Sequence, residues 1–244
     1  GYARDGRGFL LTTKLFEPLE KWRIAPLPQI DSYLNLAYAT GCEWESPRLE
    51  LGTTEVDERL ANAVWQQFGL EGQQVVVLNS GGAFGAAKDW PVEHFAQLAG
   101  RLVSQHNLHV LVNCGPKERD TAREIVRQAA NPRVVSLADQ PELPIGLTKP
   151  IIRRAKLLVT TDSGPRFFGV AFQVPTVSLF GPTSTRWTNT HSDWETRVSL
   201  DLECAPCMER VCPLKHHSCM RNLSVEMVLA RIQGLLQQRG SNAA

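Results

Sequence analysis

The stretch KLLVTTDSGPRFFGVAFQVPTVSLF, residues 156–180, decides the fold class. Its apolar run from Lys156 to Thr160 reads as a buried strand, Pro165 suits the first helical position, and TVSLF at 176–180 reads as a second buried strand. Two short strands joined through a helix run parallel, because a parallel pair needs a crossover connection. The odd residue is Asp162, an ionisable side chain set where the first strand hands the chain to the helix.

The alternation extends in both directions. VVVLN at 75–79 is a strand, a helix from Pro91 carries Phe95, Leu98, Leu102 and Val103, and HVLVN at 109–113 is the next strand. A helix follows Gly115-Pro116, a strand is expected at 133–137, a helical region runs through Ile151 and Ile152, and 196–200 can add a last strand. Upstream, Thr54 with Asp57 three residues on marks a helix start, Val56, Leu60, Val64 and Phe68 form its apolar stripe, and Gly69 stops it. Downstream, Val225, Val228, Leu229, Ile232, Leu235 and Leu236 make an amphipathic helix over 224–238. The pattern is that of an α/β protein with a Rossmann-like, doubly wound parallel sheet. Residues 1–52 are mixed, with an apolar patch at Phe9 to Leu11, a Pro-rich connector APLPQ and a helix-like YLNLAYATG. They divide from a regular domain at 53–223 and a C-terminal helix at 224–244.

Composition narrows the functional classes. With 26 basic and 25 acidic residues and a net charge of +1, no run of like charge marks a nucleic-acid or membrane footprint, so partners are small molecules or local surfaces. No apolar window reaches the roughly 18 residues of a membrane span, and the first residues lack a signal-peptide layout. The chain starts without Met, which suggests an upstream piece. Four of its six cysteines, Cys204, Cys207, Cys212 and Cys219, crowd together, which suits a reduced, cytoplasmic protein better than a disulfide framework.

In doubly wound sheets ligands collect at the carboxyl ends of the strands. Three turns there are unusual. NSGGAFGAAKDWP, Asn79 to Pro91, combines Gly81, Gly82 and Gly85, which allow close backbone approach, with the cation Lys88. This suits a phosphate, yet it is neither a P-loop nor a G-x-G-x-x-G fingerprint; a flexible loop with a solvated lysine is the alternative. At the second turn Ser163 or Gly164 suits the cap of the helix begun at Pro165, so Ser163 and Gly164 would serve phosphate oxygens while Asp162 accepts from sugar hydroxyls. Asp162 capping its own helix is the alternative there. The third turn is FGPT, Phe180 to Thr183, which alone reads as an ordinary turn.

GGAFGAAKDWP, TTDSGP at 160–165 and LFGPT at 179–183, in this order, resemble the lipopolysaccharide heptosyltransferases of glycosyltransferase family nine, and FGAAKDW is most similar to the heptosyltransferase II branch. The similarity runs from about residue 1 to 235. It implies the C-terminal, donor-binding half of a two-domain GT-B glycosyltransferase, with residues 1–52 a remnant of the acceptor-binding half. The implied reaction moves a heptose, with inversion, from an ADP-heptose-like donor to a lipid A–core or similar glycan acceptor. It takes place in the cytoplasm and leaves room for peripheral association with the inner membrane; no nucleic acid, cofactor or catalytic metal is implied. Lys88 would stabilise the leaving group, and Gly81, Gly82, Lys88, Asp162, Ser163, Gly164 and Thr183 would bind the donor. Glu118 is the nearest candidate for the acid that contacts the ribose in relatives.

Two departures from the family pattern stand out. Phe167 occupies a position where the family often has a histidine, and the acceptor-binding half with its general base would precede Gly1. Two rival readings come from other classes: a catalytically silent nucleotide-sugar-binding module, and a zinc-dependent interaction module using Cys204, Cys207, Cys212 and Cys219, whose four soft ligands would suit tetrahedral Zn(II). Cys42 and Cys114 read as core residues, His94 and His106 as solvated helix positions, and Trp90 and Trp187 as packing residues.

Overall fold

The computed structural model describes residues 1–240 apart from 21, 22, 26 and 83, and gives only the backbone of 20, 23, 24 and 238–240. Pro26 of the expected connector, Ala83 of the Gly-rich turn and the last four residues of the 224–244 segment lie outside the described residues. The chain forms two compact units, Gly1–Arg48 with Ser184–His191, and Leu49–Thr183 with Ser192–Ala244.

The first unit holds a 3₁₀ turn at Arg7–Leu10, an antiparallel pair β1 (Leu19–Glu20) and β2 (Arg23–Ile24), and helix α1 (Gln29–Tyr38). The excursion 184–191 belongs here: Gln29 N–H donates to Trp187 O at 2.8 Å, and His191 Nε2 lies 2.8 Å from Asp31 Oδ1. Cys42, expected in the core, is exposed, because the turn after α1 buries no side chain. Trp187 is likewise 37% exposed instead of packed away.

The second unit is built on a six-stranded sheet of β3 (Val75–Asn79), β4 (His109–Asn113), β5 (Val134–Ser136), β6 (Leu157–Thr161), β7 (Thr176–Phe180) and β8 (Glu195–Ser199). All neighbours are parallel, in the order β5-β4-β3-β6-β7-β8. β3, β6 and β7 are buried at every position, as expected of parallel strands covered on both faces. The covering helices are α2 (Glu55–Phe68), α3 (Val92–His106), α4 (Arg119–Ala129), α5 (Ile145–Arg153), α6 (Gly164–Ala171), α7 (Ser218–Arg221) and α8 (Val225–Gly240).

Helix α2 starts with a reciprocal capping box between Thr54 and Asp57 and ends on Gly69 in the left-handed region at φ 61°. Its buried face is Asp57, Ala61, Val64 and Trp65; Val56 and Leu60, expected in the stripe, point outward. The stripe is rotated because Asp57, besides capping, pairs with Lys149 of α5 at 2.6 Å and so turns inward. His94 and His106 are half-buried, with His94 Nδ1 and His106 Nε2 shielded from solvent, so they are not solvated positions. The His94 ring meets the buried Trp90 edge-on at 5.3 Å. Cys114 is buried as expected. Val225, Val228 and Ile232 of α8 join the same core, and Trp90 Nε1 donates to Leu223 O at 2.7 Å.

Counted from the first strand of the sheet, the order is 3-2-1-4-5-6, the doubly wound Rossmann arrangement. The order reverses between β3 and β6, the switch point at whose carboxyl ends doubly wound sheets take their ligands. The turns that follow β3 and β6 are the first two singled out in the sequence.

Candidate functional site

The carboxyl ends of the central strands carry a polar row. Asn113 Nδ2 donates to Asn79 Oδ1 at 2.8 Å, and Asn79 Nδ2 reaches Gly81 O at 2.9 Å and both Thr160 Oγ1 and Ser163 Oγ at 3.2 Å. Asn79 pairs in register with Asn113 on one side and Thr160 on the other, so strand pairing alone lines these side chains up. The row staples the Gly-rich turn to the start of α6. Asn79 is a site residue that the glycines and lysine of its turn do not point to, although both VVVLN and HVLVN end in Asn.

Two candidate glycines owe their identity to neighbouring side chains. A Cβ on Gly81 would lie 2.3 Å from Glu118 Cγ, and one on Gly82 would lie 2.9 Å from Ser163 Cβ. Glu118, just before α4, is thereby pressed against the Gly-rich turn, and Ser163 against its second glycine. Ser163 occupies the cap position of α6, Gly164 begins the helix and Pro165 follows in its first turn. Ser163 does not cap with its side chain; its Oγ lies 3.3 Å from Thr161 O and 3.1 Å from Thr160 Oγ1. Gly164 is exposed, with open space where its Cβ would point.

The third element is a charged network. Lys88, on the 3₁₀ turn Ala86–Lys88, places Nζ 2.8 Å from Asp162 Oδ2 and 2.7 Å from Asp162 O. Thr183 Oγ1 donates to the same Oδ2 at 2.7 Å, and Arg166 donates to Oδ1 at 3.0 Å. Arg166 in turn makes a two-pronged bond to Glu195 at the start of β8, one prong 2.9 Å long. Its guanidinium lies 4.9 Å from the ring centroids of both Phe167 and Phe180. Arg166 and Glu195 are wholly buried and Asp162 is 5% exposed. Burial pushes the Asp162 carboxyl up, but Lys88, Thr183 and Arg166 outweigh it and hold it below the ordinary aspartate value.

All eight residues picked out in the sequence therefore sit on the three turns and just before α4: Gly81 against Glu118, Gly82 against Ser163, Lys88 with Asp162 and Thr183, and Gly164 exposed beside Ser163. Asp162 differs most from its sequence reading, since its carboxylate is taken up by protein groups. Arg166 and Glu195 went unrecognised because a basic side chain on a short helix and an acid 29 residues later carry no local sign of pairing.

The cysteine-rich segment offers four free, half-buried thiols. Among the described residues no group of three or more His, Cys, Asp or Glu side chains is arranged to hold a metal ion. No helix among them is long and apolar enough to cross a membrane.

The sheet order and its flanking helices define a Rossmann-like α/β unit, and comparison with known proteins gives it a family. The sequence model of glycosyltransferase family 9 (heptosyltransferase) matches residues 1–218, and the chain belongs to this family. Lipooligosaccharide heptosyltransferase 2 of Campylobacter jejuni is 34% identical over 172 residues, covering 68% of this chain and 52% of that protein. The chain thus spans about half the length of this relative. The structure of E. coli ADP-heptose LPS heptosyltransferase II matches at a TM-score of 0.72 and 24% identity, over 98% of this chain and 70% of that one. E. coli heptosyltransferase WaaC with ADP-2-deoxy-2-fluoro heptose matches at 0.58 and 16%, over 93% of this chain and 60% of that one. Both structural likenesses concern the fold.

Proposed function

We propose that this chain is the donor-binding half of an inverting glycosyltransferase, one that moves heptose from an ADP-heptose donor to the lipopolysaccharide inner core or a similar glycan. The observation that carries the reading is the meeting of Lys88, Asp162 and Thr183 at the Rossmann switch point, beside glycines 81 and 82. The names of the relatives support heptose as the sugar and ADP as its carrier.

In such a transfer the acceptor hydroxyl attacks the anomeric carbon as the bond to the diphosphate breaks, so negative charge grows on the leaving group. Lys88 is placed to meet that charge. Its side chain is only 14% exposed, and an ammonium in such a poorly hydrated place acts more strongly than one in water. Asp162 holds Lys88 from two atoms, which fixes the cation in advance and spares the cost of orienting it during the reaction. Asp162 is in this account a positioning residue, with Thr183 and Arg166 fixing its carboxylate in turn. Gly164 and the first turn of α6 put the positive end of the helix dipole at the carboxyl end of β6. The general base that accepts the acceptor's proton belongs to an acceptor-binding half. In this reading the protein acts in the cytoplasm, at the inner membrane where a lipid-linked acceptor is met.

Calorimetric titration with ADP and ADP-heptose tests the assignment. The chain should bind both, and Lys88→Ala should weaken both by about 10-fold to 100-fold, the worth of one or two charge-assisted hydrogen bonds. Equal affinity in the two proteins would sink the site.

A further inference from the structure

The cysteine-rich segment is in direct contact with two of the three site turns. Ala87 N–H donates to Arg210 O at 3.1 Å, and Met208 N–H donates to Pro182 O at 2.7 Å. Gly85 is a glycine for this contact: its φ is +141°, and a Cβ there would lie 2.6 Å from Arg210 O and 3.2 Å from Arg210 Cβ. Gly181 is pressed in the same way, since its Cβ would lie 2.5 Å from Met220 Sδ and 3.0 Å from Cys219 Sγ. Two glycines and two backbone hydrogen bonds thus seat residues 208–220 against the turns at 85–87 and 181–182.

This docking brings a second cation to the site. Lys88 Nζ lies 4.4 Å from the centroid of the Phe84 ring, and Arg210 Cζ lies 5.7 Å from the same centroid. Lys88 is already paired with Asp162, whereas among the described residues no carboxylate lies within ion-pair distance of the exposed Arg210. With both cations within reach of one ring, an anion of more than one charge bound beside Phe84 can be met by both. A guanidinium also suits this partner, because its planar fork can bind two phosphate oxygens at once.

We propose that Arg210 is a second diphosphate-binding residue, carried to the donor site by the cysteine-rich segment. The proposal rests on the reading of Lys88 as a diphosphate cation. It assigns that segment a function that needs no metal: it is the scaffold that presents Arg210.

The test is a titration of the intact chain and its Arg210→Gln, Arg210→Lys and Lys88→Gln variants with ADP and with adenosine. Arg210→Gln should weaken ADP about tenfold and leave adenosine unchanged, with Arg210→Lys recovering part of the loss. If Lys88→Gln loses ADP affinity while Arg210→Gln keeps it, Arg210 is dismissed and the site reading stands. Equal loss of ADP and adenosine in Arg210→Gln would also overturn the proposal, as it would show a displaced loop instead of a lost phosphate contact. If ADP binding is absent or indifferent to Lys88→Gln, the underlying site reading fails, and the proposal with it.

Discussion

Lys88 reaches across 74 positions of sequence to Asp162, holding its Oδ2 at 2.8 Å and its backbone oxygen at 2.7 Å. A cation that grips both a side chain and a main-chain atom cannot swing freely, and this bond joins the turn after β3 to the turn after β6. The site is therefore preorganised across the switch point of the sheet.

Replacing Asp162 should cost stability as well as function. Asp162→Asn leaves the buried Arg166 and the enclosed Lys88 short of a counter-charge, and the loss should be about 3–5 kcal/mol at pH 7 by chemical denaturation. The pH dependence has a definite sign. The folded carboxyl lies below its ordinary value, so its contribution is complete above the unfolded pKa near 3.8 and disappears as pH falls through the lower folded value. The stability gap between the parent chain and Asp162→Asn should accordingly narrow only in strong acid. A gap that closed between pH 7 and 5 would contradict the network.

Arg166 and Glu195 should behave as one unit. Either Arg166→Met or Glu195→Gln breaks a fully buried ion pair by removing one partner, and each should destabilise by about 3–5 kcal/mol. Because the two are bonded, the double substitution should cost clearly less than the sum of the two, and a double-mutant cycle on denaturation midpoints reads this coupling. Strict additivity would rule the pair out.

Alanine at three glycines should separate crowded from open positions. Gly81→Ala collides with Glu118 and Gly82→Ala with Ser163, so both should lower the melting temperature, Gly81→Ala by more. Gly164→Ala meets open space and should leave the fold almost unchanged, within about 0.5 kcal/mol. Scanning calorimetry of the three variants gives the order directly.

Thiol chemistry should divide the cysteines. Burial pushes the Cys114 thiol up to about 11, so it should stay unreactive toward a disulfide reagent at pH 8 until the protein unfolds. Exposed Cys42 should react at once. Mass mapping of labelled peptides at early times distinguishes the two.

Much of the fold was legible in the chain. Five of the sheet strands announce themselves as apolar runs, and β8 starts one residue before the expected 196 because a charged residue, Glu195, begins it. The outward turn of Val56 and Leu60 was not legible, since the stripe a helix buries depends on what lies opposite, here Lys149 drawing Asp57 inward. Cys42 was misplaced for a similar reason: its small apolar side chain fits a core, but whether a core lies beside it is not a local property.

The sequence by itself determined the alternation of strands and helices and the three turns with Gly81, Gly82, Lys88, Asp162, Ser163 and Gly164 on them, because periodicity, glycine and caps act within a few positions, whereas Glu118 and Thr183 came only with the family resemblance. Only the tertiary structure decided what those residues do to one another. Parallel pairing of β3 with β6 brings Lys88 to Asp162, and the packing of β8 beside β7 delivers Glu195 to Arg166. Charge pairing over such separations depends on distance in space, which folding sets and the order of residues does not display. The same reason turns Asp162 from an apparent ligand acceptor into the buried clamp of Lys88.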